Sequence, residues 1–202
     1  TILKGNISLA KLMTDKPERT TEILNEAENV CDRARELIHQ LSILSDNTSL
    51  LTKKVSIADL LQVTTKFCIR STRITCDFSF PPSLFFVNAN EGQLNQIFTN
   101  LILNAVQSMP EGGNLTIKAQ NLFVDTPGKI PLKKGKYVKI SIKDTGGGIP
   151  REKLDRIFNL YYTTKKDGKG IGLTITKSIV ENLDGYISVE SQEGKGTTFY
   201  LY

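Results

Sequence analysis

The first long pattern in the chain is a seam. Ile23, Ala27, Val30, Ala34, Leu37, Leu41 and Leu44 succeed one another at intervals alternating between four and three residues. That spacing holds one apolar stripe on one face of a helix, as in a heptad repeat. Upstream, Leu3, Ile7, Ala10 and Met13 share a face of a shorter helix; Asp15-Lys16-Pro17 breaks it, and Thr14 or Asp15 is placed to cap the second helix. Residues 1–45 therefore predict a helical hairpin. Two hairpins pairing as a dimeric four-helix bundle bury this seam better than two helices can, and an intramolecular coiled hairpin is the alternative. Asp46-Asn47-Thr48-Ser49 is a polar break, so residues 46–54 read as a linker to a second domain over 55–202.

Beyond the break the period shifts between helix and strand. Ser56 is a plausible cap for a helix running to about Arg70. Ile74 to Phe80 alternates apolar and polar and is stopped by Pro81-Pro82, which predicts a half-buried strand; Phe85-Phe86-Val87 reads as a second, short one. Glu91 to Met109 is a helix whose Leu94, Ile97, Phe98, Leu101, Ala105 and Val106 make a wide buried face, closed by Pro110-Glu111-Gly112-Gly113. The next strands are Asn114–Asn121 and Tyr137–Lys143, joined through a Pro/Gly/Lys loop over Asp125–Gly135. Arg151–Leu160 reads as a short helix, and a longer one runs to Asn182 with Leu173, Ile175, Ile179, Val180 and Leu183 inward. Tyr186–Ser191 and Thr197–Tyr202 are strands joined by the hairpin Gln192–Gly196.

Several polar residues stand where this pattern calls for apolar ones. Asp144 has the parity of Val138, Ile140 and Ile142, so it points to the apolar side, where a carboxylate is costly unless paired. A buried acceptor facing an apolar slot suits an adenine amino group, and the glycines at 146, 147 and 148 allow a flat ring to approach the backbone. Asn100 and Asn104 stack at i and i+4 on a largely buried helix. They are either a solvent stripe or a pair of amides aimed at a ligand, whose carbonyl oxygens suit a hard cation carrying phosphates, such as Mg²⁺. From Tyr161 to Lys169 the chain has hydroxyls, amines and a glycine hinge, the chemistry of a lid. Gly170-Ile171-Gly172-Leu173 opens the last long helix, whose N–H groups can hold phosphate oxygens. The spacing matches neither a P-loop nor a dinucleotide fingerprint.

Composition changes this picture little. At 202 residues, with 39% hydrophobic and 23% charged residues, the chain is of ordinary globular make-up. The net charge of +5 is mild, and no basic cluster carries base-reading groups, so no nucleic-acid partner is expected. Lys129, Lys133, Lys134 and Lys136 read as a solvated loop, whereas Lys165, Lys166 and Lys169 sit between the glycine clusters, where phosphates would lie. Cys31, Cys68 and Cys76 form neither a disulfide framework nor a zinc pattern and fit a reducing, cytoplasmic compartment. No apolar run reaches membrane-spanning length, and no membrane contact is expected. The chain opens at Thr1 within helical sequence, which suggests a piece of a longer protein.

Together these stretches resemble the two-component sensor histidine kinases and, within them, the ATP-binding catalytic domain of the Bergerat (GHKL) type. Asn100-Leu101-Ile102-Leu103-Asn104-Ala105 looks like the N box and Asp144-Thr145-Gly146-Gly147-Gly148-Ile149 like the G1 box. Ile157 to Lys165 looks like the F box, Gly168-Lys169-Gly170-Ile171-Gly172-Leu173 like the G2 box, and Gly194 to Phe199 like the last glycine motif. The resemblance implies an α+β protein: a helical hairpin, dimeric as a four-helix bundle, then a two-layer α/β sandwich whose mixed, mostly antiparallel sheet carries helices on one face. It implies ATP and Mg²⁺ as ligands. Asn104 would bind Mg²⁺ with Asn100 supporting the phosphates, and Asp144 would take the adenine amino group in a slot shaped by Gly146, Gly148 and Ile149. Phe158, Tyr161, Tyr162, Thr163, Thr164 and Lys165 would order the lid. Gly168, Lys169, Gly170, Ile171, Gly172 and Leu173 would hold phosphates, and Thr197 or Thr198 would fix water at Asp144. The partners implied are a second copy of the chain, through the hairpin, and the receiver domain of a response regulator.

The chain departs from the family in two places. Asn159-Leu160 stands where Glu-Pro is frequent in the F box, and Tyr161-Tyr162 where Phe-Phe is common. The single histidine, His39, lies on the second helix beside Gln40, off the heptad seam, and not on the first helix before an acid. It reads as a surface residue, and the phosphoacceptor is expected upstream of Thr1. Two other functions compete: an ATP-hydrolysing conformational clamp on the same fold, and a nucleotide-binding module without kinase activity. The clamps carry a glutamate one turn before the Mg²⁺-binding asparagine, whereas Asn100 is an amide and no base.

Overall fold

A computed structural model describes residues 19–21, 23–25, 52–126, 128, 130–164 and 170–202 of the protein. The chain falls into two units, Thr1–Thr48 and Ser49–Tyr202. In the first unit the described residues, 19–21 and 23–25, are helical. The rest of the expected hairpin, with Ala27 to Leu44 of the seam, His39 and Cys31, lies outside the described residues, as does most of the linker.

The second unit is built on a five-stranded sheet in the order β2-β4-β5-β7-β6, formed by β2 (Ile74–Ser79), β4 (Gly113–Val124), β5 (Gly135–Asp144), β6 (Ile187–Gln192) and β7 (Gly196–Leu201). Only the β2–β4 pairing is parallel; the other three are antiparallel. The sheet is thus mixed and mostly antiparallel, as expected. A separate two-stranded sheet pairs β1 (Lys53–Val55) with β3 (Val87–Ala89). The helices are α1 (Ile57–Ile69), α2 (Glu91–Ser108), a four-residue α3 (Arg151–Leu154) and α4 (Gly172–Asn182).

Local chemistry sets the boundaries. Ser56 caps α1, its Oγ accepting from Asp59 N at 3.4 Å, and Asn90 caps α2 by accepting from Gln93 N at 3.1 Å. The period-2 strands bury one face: Leu115, Ile117 and Ala119 on β4, Val138, Ile140, Ile142 and Asp144 on β5, Phe199 and Leu201 on β7. Against that face α2 buries Leu94, Ile97, Phe98, Leu101, Ile102 and Ala105, and it packs between α1 and α4. Each fully buried Leu or Ile of this core contributes about 1.5–3 kcal/mol.

Three expectations need correction. The short strand after Pro82 is Val87–Ala89, not Phe85–Val87. Asn121 explains the shift: its Oδ1 accepts from Phe85 N at 2.8 Å and its Nδ2 donates to Ser83 O at 2.8 Å, so residues 83–85 hydrogen-bond to a side chain rather than to a strand. The β4–β5 hairpin is longer than the alternation implied, paired without interruption from Leu115↔Asp144 to Val124↔Gly135. The helix expected over Arg151–Leu160 ends at Leu154. Beyond it Arg156, Asn159 and Tyr162 donate to carbonyls three residues back, a run of tight turns.

Candidate functional site

The site starts from the end of β5. Asp144 is 3% exposed. Three donors converge on its Oδ1: Gly146 N donates at 2.8 Å, Thr197 N at 3.2 Å and Ser108 Oγ at 3.2 Å. Those donors come from the loop after β5, from β7 and from the last turn of α2. Burial pushes the carboxyl above the ordinary carboxylate range, and hydrogen bonding from Gly146 N, Thr197 N, Ser108 Oγ and the residue's own backbone N–H counters part of that push. The outcome is a carboxylate fixed by the fold at a place where it is costly to keep charged, a common mark of a functional group.

The glycine loop is clamped from both sides. Gly147 N donates to Ser108 O at 3.3 Å and Gly147 O accepts from Gly194 N at 2.8 Å. Gly146 is buried so tightly against Ser108 that a Cβ there would collide with the Ser108 hydroxyl and lie 2.6 Å from its carbonyl oxygen. Gly148 backs onto Gln192, and Ile149 N donates to Ser191 Oγ at 2.8 Å. Ser191 Oγ in turn shares a 2.9 Å hydrogen bond with Thr197 Oγ1 and donates to Gly196 O at 2.9 Å.

Asn100 and Asn104 lie on α2, one turn apart and half-buried. Asn100 does not face solvent: its Nδ2 donates to Gly172 O at 3.0 Å and to Thr176 Oγ1 at 3.3 Å, both on α4. The described part of the lid sequence begins after α3. Phe158 is half-buried, with Lys177 Nζ 5.9 Å from its ring centre, and its carbonyl accepts from Thr174 Oγ1 at 3.1 Å. Tyr162 lies under Arg156 at 4.8 Å, while Tyr161 is exposed and takes a left-handed φ of 62°. Gly170, with φ of 69°, closes the other end of the segment: a Cβ there would lie 2.7 Å from Tyr162 N. Only a glycine fits that left-handed, crowded position at low cost. Thr163 and Thr164 are exposed; Lys165, Gly168 and Lys169 lie outside the described residues. Ile171 is buried and Leu173 half-buried at the start of α4.

The structure thus brings Asp144, Gly146, Gly148, Ile149 and Thr197 into one cluster, and Asn100, Gly170, Gly172 and Leu173 to the start of α4. Thr198 is not part of either: it alternates with Thr197 along β7, pairing with Lys143 and Glu190, and so stands on the opposite face of the sheet. Reading the residues missed Ser108, Ser191, Thr174 and Thr176. Ser108 had a signal, since Asn100, Asn104 and Ser108 form one stripe at four-residue spacing. Thr176 had one too, a polar residue at the helix spacing of inward Leu173 and Val180.

Among the described residues no cluster of three or more His, Cys, Asp or Glu could hold a metal, and no helix is long and apolar enough to cross a membrane. The model of the histidine kinase-, DNA gyrase B-, and HSP90-like ATPase family matches residues 89–202. Sensor kinase CckA of Brucella abortus (strain 2308) is 33% identical over 188 residues, covering 90% of this chain and 20% of its own length. Sensor histidine kinase ZraS of Escherichia coli (strain K12) is 34% identical over 174 residues, covering 85% of this chain and 35% of its own. The chain therefore spans only about a fifth to a third of those relatives. Among solved structures, full-length ShkA in complex with AMPPNP shares the fold, with a TM-score of 0.72 at 22% identity over 98% of this chain and 42% of that one. The nucleotide-free catalytic domain of histidine kinase ThkA gives a TM-score of 0.60 at 25% identity, covering 75% of this chain and 94% of that one.

Proposed function

The chain belongs to the histidine kinase-, DNA gyrase B-, and HSP90-like ATPase family, and from that premise we propose that it is the ATP-binding core of a two-component sensor histidine kinase. It binds Mg-ATP, phosphorylates a histidine other than His39, and passes the phosphoryl group to an aspartate of a response regulator. One observation carries the nucleotide reading: a buried carboxylate whose Oδ1 is held by Gly146 N, Thr197 N and Ser108 Oγ, with Oδ2 proposed as the acceptor for an adenine amino group. The names of the relatives, a sensor kinase and a sensor histidine kinase, support the phosphotransfer.

The chain's own residues act mainly by placing the nucleotide, as expected for phosphoryl transfer. Asp144 accepts from the base, and the loop at Gly146–Gly148 lets the ring lie against backbone. The first turn of α4 presents N–H groups to the phosphates; its N-cap residue, Ile171, supplies no side-chain cap that would compete for them. The hydroxyls, amines and glycine of the sequence from Tyr161 to Lys169 suit a lid, of which only Tyr161 to Thr164 are among the described residues. Asn104, half-buried on α2, suits the carbonyl-oxygen coordination of a hard cation, and Mg²⁺ held there would neutralise phosphate charge. The domain division accords with the same reading: residues 1–45 as the dimerisation and phosphotransfer hairpin, 46–54 as linker and 55–202 as the catalytic domain, in the cytoplasm, with a second copy and a receiver domain as partners.

An ATP-hydrolysing clamp is the second reading, because the family includes such proteins. Against it stands Asn100. Its amide is committed to Gly172 and Thr176 and cannot take a proton from water. The deciding experiment incubates the native protein that carries this chain with labelled Mg-ATP. Acid-labile, base-stable phosphate on the protein, transferable to a receiver domain, is the expected result. Sustained phosphate release with no such intermediate would overturn the kinase reading.

A further inference from the structure

Thr176 is a buried hydroxyl with no assigned role. It is 0% exposed in the middle of α4. A valine would fill the same space without a polar atom to satisfy, so the hydroxyl needs its own explanation. Among the described residues its hydroxyl makes two hydrogen bonds. Thr176 Oγ1 donates to Gly172 O at 2.9 Å, the carbonyl one turn back, and accepts from Asn100 Nδ2 at 3.3 Å. Asn100 Nδ2 also reaches Gly172 O, at 3.0 Å. The three groups close a triangle that joins α2 to the first turn of α4.

That first turn is supported differently from those of α1 and α2, whose starts are fixed by the capping side chains of Ser56 and Asn90. Here Ile171 gives none. The start is held from the side, by this triangle and by the bond from Thr174 Oγ1 to Phe158 O. A cap would occupy N–H groups that a phosphate needs; a lateral tie fixes the turn and leaves those groups to a ligand.

We propose that Thr176 is a positioning residue for the phosphates of the nucleotide. Through Gly172 O and Asn100 it sets where the first turn of α4 points its N–H groups. It touches no ligand itself. The inference rests on the nucleotide reading above and adds to it a residue that acts only on the phosphate end.

The test measures Mg-ATP and adenosine binding to this chain by competition against a fluorescent ATP analogue, in wild type, Thr176→Val and Thr176→Ser. Thr176→Val is expected to weaken Mg-ATP about tenfold, the scale of a small misplacement of binding groups, with adenosine unchanged; Thr176→Ser restores Mg-ATP binding. Equal loss of both ligands, no loss of either, or a serine variant as weak as the valine one overturns the proposal. If Thr176→Val does not fold, Thr176→Ala, which drops the hydroxyl and keeps a good helix former, must show the same split. A wild type that binds no ATP would instead overturn the nucleotide reading itself.

Discussion

The two ends of the site are held in opposite ways. At the base end, three elements send donors to a single oxygen of Asp144, and the loop beside it is stitched to α2 and to the β6–β7 hairpin. At the phosphate end, the start of α4 has no cap and two lateral ties. The difference suits the tasks. Telling one base from another needs an acceptor that does not move, because a misplaced one leaves a buried polar group unpaired. Phosphates arrive and leave carrying charge, so their N–H partners have to be placed without being occupied.

If the base end is the rigid one, damage there should be the most severe. Asp144→Asn puts an amide donor opposite the adenine amino group, or turns it against Gly146 N and Thr197 N. ATP affinity should fall about a hundredfold or more, the scale of an unpaired buried group, with the fold intact by circular dichroism; calorimetry showing unchanged binding would refute the base contact. The carboxyl's acidity adds a second arm. Its folded pKa lies above the unfolded value, so protonation favours the fold: this stability is present at acid pH and lost as the pH rises through the raised value. Binding runs the other way, since a protonated carboxyl is the poorer acceptor. As the pH falls from neutral toward about 4, the ordinary range of an Asp side chain, ADP affinity should fall while this group's contribution to the melting temperature grows, and Asp144→Asn should flatten both trends.

Gly146→Ala comes next. Its Cβ meets the Ser108 backbone as well as the hydroxyl, so the loop must shift. A cost of about 1–3 kcal/mol in stability is expected, with about tenfold weaker ATP binding. Ser108→Gly should not rescue it, because the Ser108 carbonyl oxygen still stands 2.6 Å from the added carbon. Rescue in a thermal melt would show that the hydroxyl alone crowds the loop. Thr174→Val, at the phosphate end, should have the mildest effect. It removes one bond to Phe158 O while Asn100 and Thr176 keep α4 in place. A loss of about 1 kcal/mol or less in ATP binding, measured by calorimetry, fits two independent ties; a loss as large as that of Asp144→Asn would erase the contrast between the ends.

Much of this was legible in the chain. Period-2 alternation put Asp144 on the buried face of β5, and helical period put Asn100 and Asn104 on one stripe of α2, because the direction of a side chain is set by backbone geometry alone. Glycine clusters marked the two loops for the same local reason. Other features are tertiary. Lys53–Val55 is a strand only because Val87–Ala89 lies beside it. Phe85 leaves its expected strand because Asn121, 36 residues away, takes its N–H. Thr197 and Thr198 look alike in the sequence, and only the register of β7 against β5 puts the first at Asp144. Nor does anything in the sequence say that Asn100 reaches across to Gly172 and Thr176. Local pattern decides which way a side chain points; which partner it meets depends on elements far along the chain, and that is settled only when the core packs.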